Sequence, residues 1–218
     1  MPESRIPRIL ELAPNFESRS THGLIRLSDY TAKGKWVMLF SHPSDFTPVC
    51  STEFIEFAKR QADWDRLNVQ LIGVSIDSLH SHIAWVLDLE RISGTKIEFP
   101  IIVDLDQKIS AAYGLVHEAV SDTATVRSVF VIDPKGIIRA LLYYPMQLGR
   151  NVDELIRIFE ALQLVDANGV SCPANWKVGD AVVVPAPVTQ AEAQKRIGGA
   201  PGMDVTTWYL STRDLAVK

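Results

Sequence analysis

The sequence predicts an α/β domain, a mixed sheet covered by helices, followed by a C-terminal extension. Three observations carry this prediction. Short apolar runs alternate with amphipathic stretches through the first two-thirds of the chain. A Pro-Gly turn joins two late runs as a hairpin, and after Asp166 the texture becomes Pro-rich.

Taken in order, Trp36 to Phe40 is a continuous apolar run bounded by Lys35 and Pro43, which reads as a buried central strand. From Val49 to about Trp64, Phe54, Ile55, Phe57, Ala58 and Ala62 recur at helical spacing. Val69 to Ser75 reads as a second strand and Leu79 to Leu89 as a second amphipathic helix. Ile101 to Val103 is a short strand, followed by a helix at Lys108 to Tyr113. Ser128 to Ile132 and Ile137 to Tyr143 flank Asp133-Pro134-Lys135-Gly136, whose Pro and Gly make the turn. A helix from Val152 to Leu164 closes the domain, which we bound at 1–166. The remainder, 167–218, has one obvious helix, capped by Thr189 with Glu192 three residues on. It has too little apolar content for a core of its own, so it reads as an arm packed on the main domain or on a second subunit.

The formal charge of −4, spread without a dense Lys/Arg block, gives no nucleic-acid or anionic-membrane footprint. No apolar run approaches the length of a membrane span, and Met1-Pro2-Glu3-Ser4-Arg5 lacks the apolar stretch of a signal peptide. A cytoplasmic protein is expected. Two cysteines are no disulfide framework, and in a reducing compartment they are either packing residues or reactive thiols. Paired ligand spacing is missing, so neither a metal nor a cofactor is expected.

Cys50 is the informative thiol. Pro43-Ser44-Asp45-Phe46-Thr47-Pro48-Val49-Cys50 joins the central strand to the next helix, placing the sulfur in the first helical turn. Unpaired N–H groups and the helix dipole favour an anion there. Thr47 can aim its hydroxyl at the same space, and Pro43 and Pro48 stiffen the loop. The bland alternative is a small buried hydrophobe.

The segment resembles the peroxiredoxin signature Pro-x-x-x-Thr-x-x-Cys, matched by Pro43, Thr47 and Cys50. The longer string from Ser41 to Glu53 is similar to the subgroup typified by mammalian one-cysteine peroxiredoxin, and the likeness continues through Phe99–Asp104 and Arg127–Asp133 into the arm. The resemblance implies a thioredoxin-like fold and a thiol peroxidase that reduces hydrogen peroxide and organic hydroperoxides. It assigns Cys50 as the nucleophile that becomes a sulfenic acid. Thr47, the Cys50 N–H and Arg127 are implied donors to the peroxide oxygens. Glu53 would orient an arginine rather than act as acid or base. His42 would either assist proton transfer and hold the oxidised sulfur or be an ordinary strand-end histidine. Arg150 is a second candidate arginine.

Cys172 departs from the one-cysteine subgroup. Cys172-Pro173-Ala174-Asn175-Trp176 is similar to the resolving-cysteine motif of two-cysteine peroxiredoxins, which implies an intersubunit disulfide with Cys50. The alternative is an external thiol that resolves Cys50 directly. A peroxide sensor or a redox chaperone would use the same reactive thiol. A disulfide oxidoreductase is disfavoured, because Ser51 to Glu53 offers no second cysteine after Cys50. The expected partners are a hydroperoxide, a thiol reductant such as thioredoxin or glutathione, and a second copy of the chain, with rings of dimers known in the family.

Overall fold

The structure, a computed structural model, describes residues 5–215. Met1 to Ser4, on which part of the no-signal expectation rests, lie outside the described residues. The chain divides into two compact units, the second beginning at Asp153.

The first unit runs β1 (Glu17–Ser20), β2 (Gly23–Arg26), the single turn α1 (Ser28–Thr31) and β3 (Trp36–Ser41). It continues through α2 (Pro48–Lys59), α3 (Gln61–Arg66), β4 (Val69–Ser75), α4 (Leu79–Ser93), β5 (Ile101–Val103) and α5 (Lys108–Tyr113). The hairpin β6 (Arg127–Ile132) and β7 (Ile138–Tyr144) completes it. These strands form one seven-stranded sheet in the order β2-β1-β5-β4-β3-β6-β7. β3, β4 and β5 are parallel, and β6 runs antiparallel to β3. The expected mixed sheet is therefore present.

β3 is central because all six of its residues are apolar or small enough to bury, and all six are buried. Alternation divides them between two cores. Val37 and Leu39 join Ile72, Val74, Ile102, Phe130 and the α5 residues Ile109 and Tyr113. On the opposite face Phe40 meets Phe54 and Phe57 of α2 and Phe99 edge-on, with centroids 4.9–5.8 Å apart. Phe40 pairs in register with Gly73 of β4. A side chain at Gly73 would press on both Phe54 and Phe40 at 3.3–3.4 Å, so the aromatic cluster occupies the space a Cβ would take.

Two features differ from the sequence expectation. The helix expected from Val49 to Trp64 breaks at Arg60 (φ −95°, ψ 18°) into α2 and α3. Trp64 is fully buried, and its indole N–H takes the Phe57 carbonyl at 3.0 Å, which redirects the chain at that turn. β1 and β2 were not expected, because Glu17-Ser-Arg-Ser20 is polar and lies near the sheet edge. The hairpin turn is as expected. Gly136 takes φ +78°, and the Asp133 carboxylate accepts the Lys135 and Ile137 N–H groups.

The second unit takes in nearly all of α6 (Val152–Asn168), then β8 (Val182–Val183), α7 (Gln190–Ile197), β9 (Asp204–Val205) and β10 (Ser211–Arg213). The three strands form a small antiparallel sheet, β8-β10-β9. Thr189 caps α7 by accepting the Glu192 N–H at 3.2 Å. The extension expected to lack a core of its own packs on α6: Val170, Trp176 and Val182 form a buried cluster with Ala161 and Leu164 of that helix. Its apolar content suffices once one face of α6 is counted with it. Trp208 remains 41% exposed.

Candidate active site

Residues 42–47 carry the chain from the C-terminal end of β3 to α2, beside the point where β3 has a parallel neighbour on one side and an antiparallel one on the other. In open α/β sheets that end is the usual place for chemistry. Thr47 is the extended residue before α2, Pro48 fills the first helical position, and Cys50 follows in the first turn. Phe46 is held at φ +54°, a conformation that costs a bulky side chain energy and that packing must maintain.

Cys50 is 0% exposed. Nη1 of Arg127, from β6, donates to its sulfur at 3.3 Å and to Oε2 of Glu53 at 2.7 Å. Nε of Arg127 donates to the Met146 carbonyl at 2.8 Å. Glu53 lies one turn along α2 from Cys50 and binds a second arginine. Nε and the backbone N–H of Arg150 both donate to Oε1 at 2.8 Å, and Nη2 donates to Oε2 at 2.6 Å. Nη1 of Arg150 donates to the carbonyls of Ser41 and Ser128 at 3.0 Å, tying β3 to β6. The guanidinium also lies over the rings of Phe40 and Phe57.

Burial by itself would push the Glu53 carboxyl up. The Arg150 charge and hydrogen bonds, with Arg127 behind them, outweigh it and hold the carboxyl below its ordinary value. Glu53 is thus an anion between two buried cations, and the trio is one negative charge short of neutrality. The Cys50 sulfur lies against this excess of positive charge. Exclusion of water strengthens the Arg127 field at the sulfur.

The structure therefore brings together Cys50, Glu53, Arg127 and Arg150. Thr47 is engaged elsewhere as a donor, since its hydroxyl gives its proton to the Ser44 carbonyl at 2.8 Å and keeps only lone pairs to offer. Pro43 is buried in the same loop. His42 is buried, and its partner is a side chain rather than the backbone: Nε2 lies 2.9 Å from Oδ1 of Asp45, while Nδ1 has no partner. Burial holds this imidazole below its ordinary value, and the hydrogen bond to Asp45 opposes that only in part.

Sequence reasoning missed Asp45 and His82. His82, on α4, places Nδ1 2.8 Å from Oδ2 of Asp45. A signal existed: His82, Trp85 and Leu89 share the buried, apolar face of α4, where a histidine needs a partner. The three groups of His42, Asp45 and His82 lie close enough to hold a metal ion, but each contact is accounted for as a hydrogen bond.

Cys172 lies in the second unit and is half-buried against that unit's Val170, Trp176 and Val182 cluster. Its thiol donates to the Ala161 carbonyl at 3.9 Å. Burial pushes this thiol up, and the Arg157 charge offsets that only in part.

Comparison with known proteins covers nearly the whole chain. The AhpC/TSA family model matches residues 9–141, and the model of the C-terminal domain of 1-Cys peroxiredoxin matches residues 161–199. A relative named peroxiredoxin 2, from Caldanaerobacter subterraneus subsp. tengcongensis, is 50% identical over 96% of this chain and 94% of its own. A yeast mitochondrial one-cysteine peroxiredoxin, whose structure concerns thiol resolution through glutathione and thioredoxin systems, matches with a TM-score of 0.85 at 39% identity, covering 96% of this chain and all of that one. A cysteine-to-serine variant of peroxiredoxin 6 from Arenicola marina matches with a TM-score of 0.85 at 30% identity, covering 97% and 100%.

Proposed function

This chain belongs to the peroxiredoxin family, of the one-cysteine type on a thioredoxin-like fold, and on that premise we propose that Cys50 is the thiol that meets the peroxide. The protein is a thiol-dependent peroxidase, an oxidoreductase that takes a peroxide as substrate and a thiol as reductant. The single observation that carries the assignment of Cys50 is the Arg127 guanidinium, 3.3 Å from its sulfur and backed by Glu53.

In this reading the Cys50 thiolate attacks one peroxide oxygen, the O–O bond breaks, and a sulfenic acid forms. The departing oxygen takes a proton and leaves as water or an alcohol. Arg127 steadies the charge on that oxygen, and its Nη2, which has no partner among the described residues, is the donor free to do so. Glu53 and Arg150 position Arg127 without touching the reacting atoms. The lone pairs of Thr47 and the bare Nδ1 of His42 are acceptors for the proton of the peroxide or of the sulfenic acid.

The sulfenic acid is then resolved by Cys172 of a partner subunit, a reading supported by the Cys172-Pro173-Ala174-Asn175-Trp176 motif. The arm, 167–218, would exchange between the two subunits of a dimer, with dimers assembling further into rings. Exposed Trp208, Tyr209 and Leu210 are suitable contacts. An external thiol is the second reading, favoured by the match to the one-cysteine C-terminal domain across position 172. The physiological donor is thioredoxin in the first case and glutathione fits the second. A cytoplasmic setting suits two free cysteines, and no helix among the described residues is long and apolar enough to cross a membrane.

Peroxide turnover with thioredoxin and with glutathione tests the function, alongside non-reducing electrophoresis of wild type and Cys172→Ser after one equivalent of hydrogen peroxide. Continued turnover and a covalent dimer only in wild type support Cys172 as the resolving thiol. Turnover without a dimer selects the external thiol. One stoichiometric reaction with neither donor sustaining turnover would indicate a sensor.

A further inference from the structure

α4 turns one apolar stripe to the core, and Trp85 lies on it at 1% exposure. A buried indole carries a single polar atom, an N–H that needs an acceptor. Trp85 finds it on the first turn of α2, where Nε1 donates to Oγ of Ser51, the residue after Cys50, at 3.3 Å. An indole only donates, so the Ser51 hydroxyl receives that bond and gives its own proton to the Thr47 carbonyl at 2.8 Å. The same carbonyl takes the Ser51 backbone N–H at 3.0 Å, and the Thr47 hydroxyl donates to the Ser44 carbonyl at 2.8 Å. The direction of every bond in this chain follows from the donor types, and no titratable group belongs to it.

The same ring also grips the loop on either side. His42, just past the end of β3, stacks on Trp85 with centroids 5.2 Å apart, and Phe54 lies 4.6 Å away. Phe46, the residue held at φ +54°, tilts against it at 6.5 Å. Trp85 therefore meets the segment before Cys50, the residue after it and the next turn of its helix.

A helix packed on a sheet by an apolar face retains one soft motion, a roll about its own axis. Successive residues of α2 advance by about 100°, which puts Ser51 about 100° to one side of Cys50 and Glu53 about 60° to the other. Glu53 is tied by Arg127 and Arg150, from β6 and the segment after β7. Ser51 is tied by Trp85, from α4. Together the two ties set the roll, and with it the place of the sulfur, 3.3 Å from Nη1 of Arg127. A roll of about 15° carries a sulfur at twice the Cα radius by roughly 1 Å, and a misplacement of that size can cost a reaction about 100-fold.

We infer that Trp85 is a positioning residue of the peroxidase reaction: through Ser51 it fixes the roll of the first α2 turn and keeps the Cys50 sulfur on the Arg127 donor. The inference rests on the reading of Cys50 as the thiol that meets the peroxide. It carries a second consequence. Cys50 is 0% exposed, so a bulky thiol reagent reaches the sulfur only when this turn loosens. Releasing Trp85 removes the tie on Ser51 and part of the packing that holds Phe46 in its costly conformation. Peroxide reduction should then slow while bulky-reagent labelling speeds up, whereas loss of thiolate would slow both.

In NMR spectra of reduced wild-type protein, the Trp85 indole N–H should show a nuclear Overhauser contact to the Ser51 β-protons. Its absence overturns the inference whatever any variant does. The second measurement is a double-mutant cycle on Trp85→Phe and Ser51→Ala. It is read by the rate of Cys50 oxidation with hydrogen peroxide and the rate of Cys50 labelling with a bulky maleimide, both mapped by peptide mass. Trp85→Phe keeps an aromatic ring without the N–H, and Ser51→Ala loses the acceptor. Each should slow oxidation about tenfold and speed labelling, and the double variant should be no slower than the singles. Ser51→Thr keeps the hydroxyl and should stay within about twofold of wild type. Oxidation at the wild-type rate in both folded single variants sinks the inference. So does a double variant whose loss is the product of the two, or a Ser51→Thr as slow as Ser51→Ala, since either assigns the effect to packing alone. Cys50→Ser, run in parallel, separates the two readings. If it still reduces peroxide, the reading of Cys50 falls and the inference falls with it. If it is inactive while the Trp85 and Ser51 variants match wild type, only the inference fails.

Discussion

The two cysteines of this chain sit in opposite chemical settings. The sulfur of Cys50 lies at a helix start, with a guanidinium donor 3.3 Å away and a buried cluster that lacks one negative charge. Cys172 packs against the cluster of Trp176, Val170 and Val182, and its thiol donates to the Ala161 carbonyl, an acceptor. One setting gives the sulfur a charged hydrogen-bond donor, whereas burial in the other pushes the thiol up. Burial is therefore not what distinguishes the peroxide-reactive cysteine, since Cys50 is the more buried of the two. The distinction lies in whether donors or carbon atoms and acceptors surround the sulfur.

The largest expected effect follows directly. Cys50→Ser should abolish peroxide reduction, while Cys172→Ser should leave the rate of the first oxidation, followed by stopped flow, at the wild-type value. Equal losses in the two variants would erase the contrast. Next comes the donor itself. Arg127→Gln should slow Cys50 oxidation by about 100-fold or more, as loss of one preorganised donor does at other anionic centres. A rate within a few-fold of wild type would place transition-state stabilisation elsewhere.

Glu53→Gln sharpens the same comparison through stability. It leaves two buried guanidinium groups facing a neutral amide, which should cost about 3–5 kcal/mol in urea denaturation. The pH dependence has a definite sign. The folded Glu53 carboxyl is held below its ordinary 4.5, so its contribution is present above that value and is lost as pH falls below it. Wild type should lose stability in that acidic range more steeply than Glu53→Gln. The smallest effect belongs to Cys172→Ala, which removes one half-buried sulfur from an apolar cluster and should cost about 1 kcal/mol.

Much of this was legible in the sequence because the local signals and the fold agree. The run from Trp36 to Phe40 reads as a buried strand and is one. Pro48 and Cys50 sit where a strand-to-helix junction places them. The Asp133–Gly136 turn forms for the reason its residues suggest. What the sequence hid depends on tertiary context. β1 is polar and pairs at the edge, so periodicity does not reveal it. The break at Arg60 comes from burying Trp64, a long-range demand. At the site, the motif pointed to Cys50, Arg127 and Glu53, but the joining of Arg127 and Arg150 on one carboxylate depends on β6 and the segment after β7 converging on α2. The Asp45–His82 contact likewise joins a loop to a helix with 36 residues between them, and only the placement of His82 on an apolar helix face hinted at it.

The central claim is that Cys50, and not Cys172, reacts with peroxide. The direct test is a sulfenic-acid trap. Cys172→Ser and Cys50→Ser are each treated with one equivalent of hydrogen peroxide in excess dimedone, and the adduct is mapped by peptide mass. The account predicts one adduct on Cys50 in the first protein and none in the second. A comparable adduct on Cys172 in Cys50→Ser, or an unlabelled and unreactive Cys50 in Cys172→Ser, would contradict it.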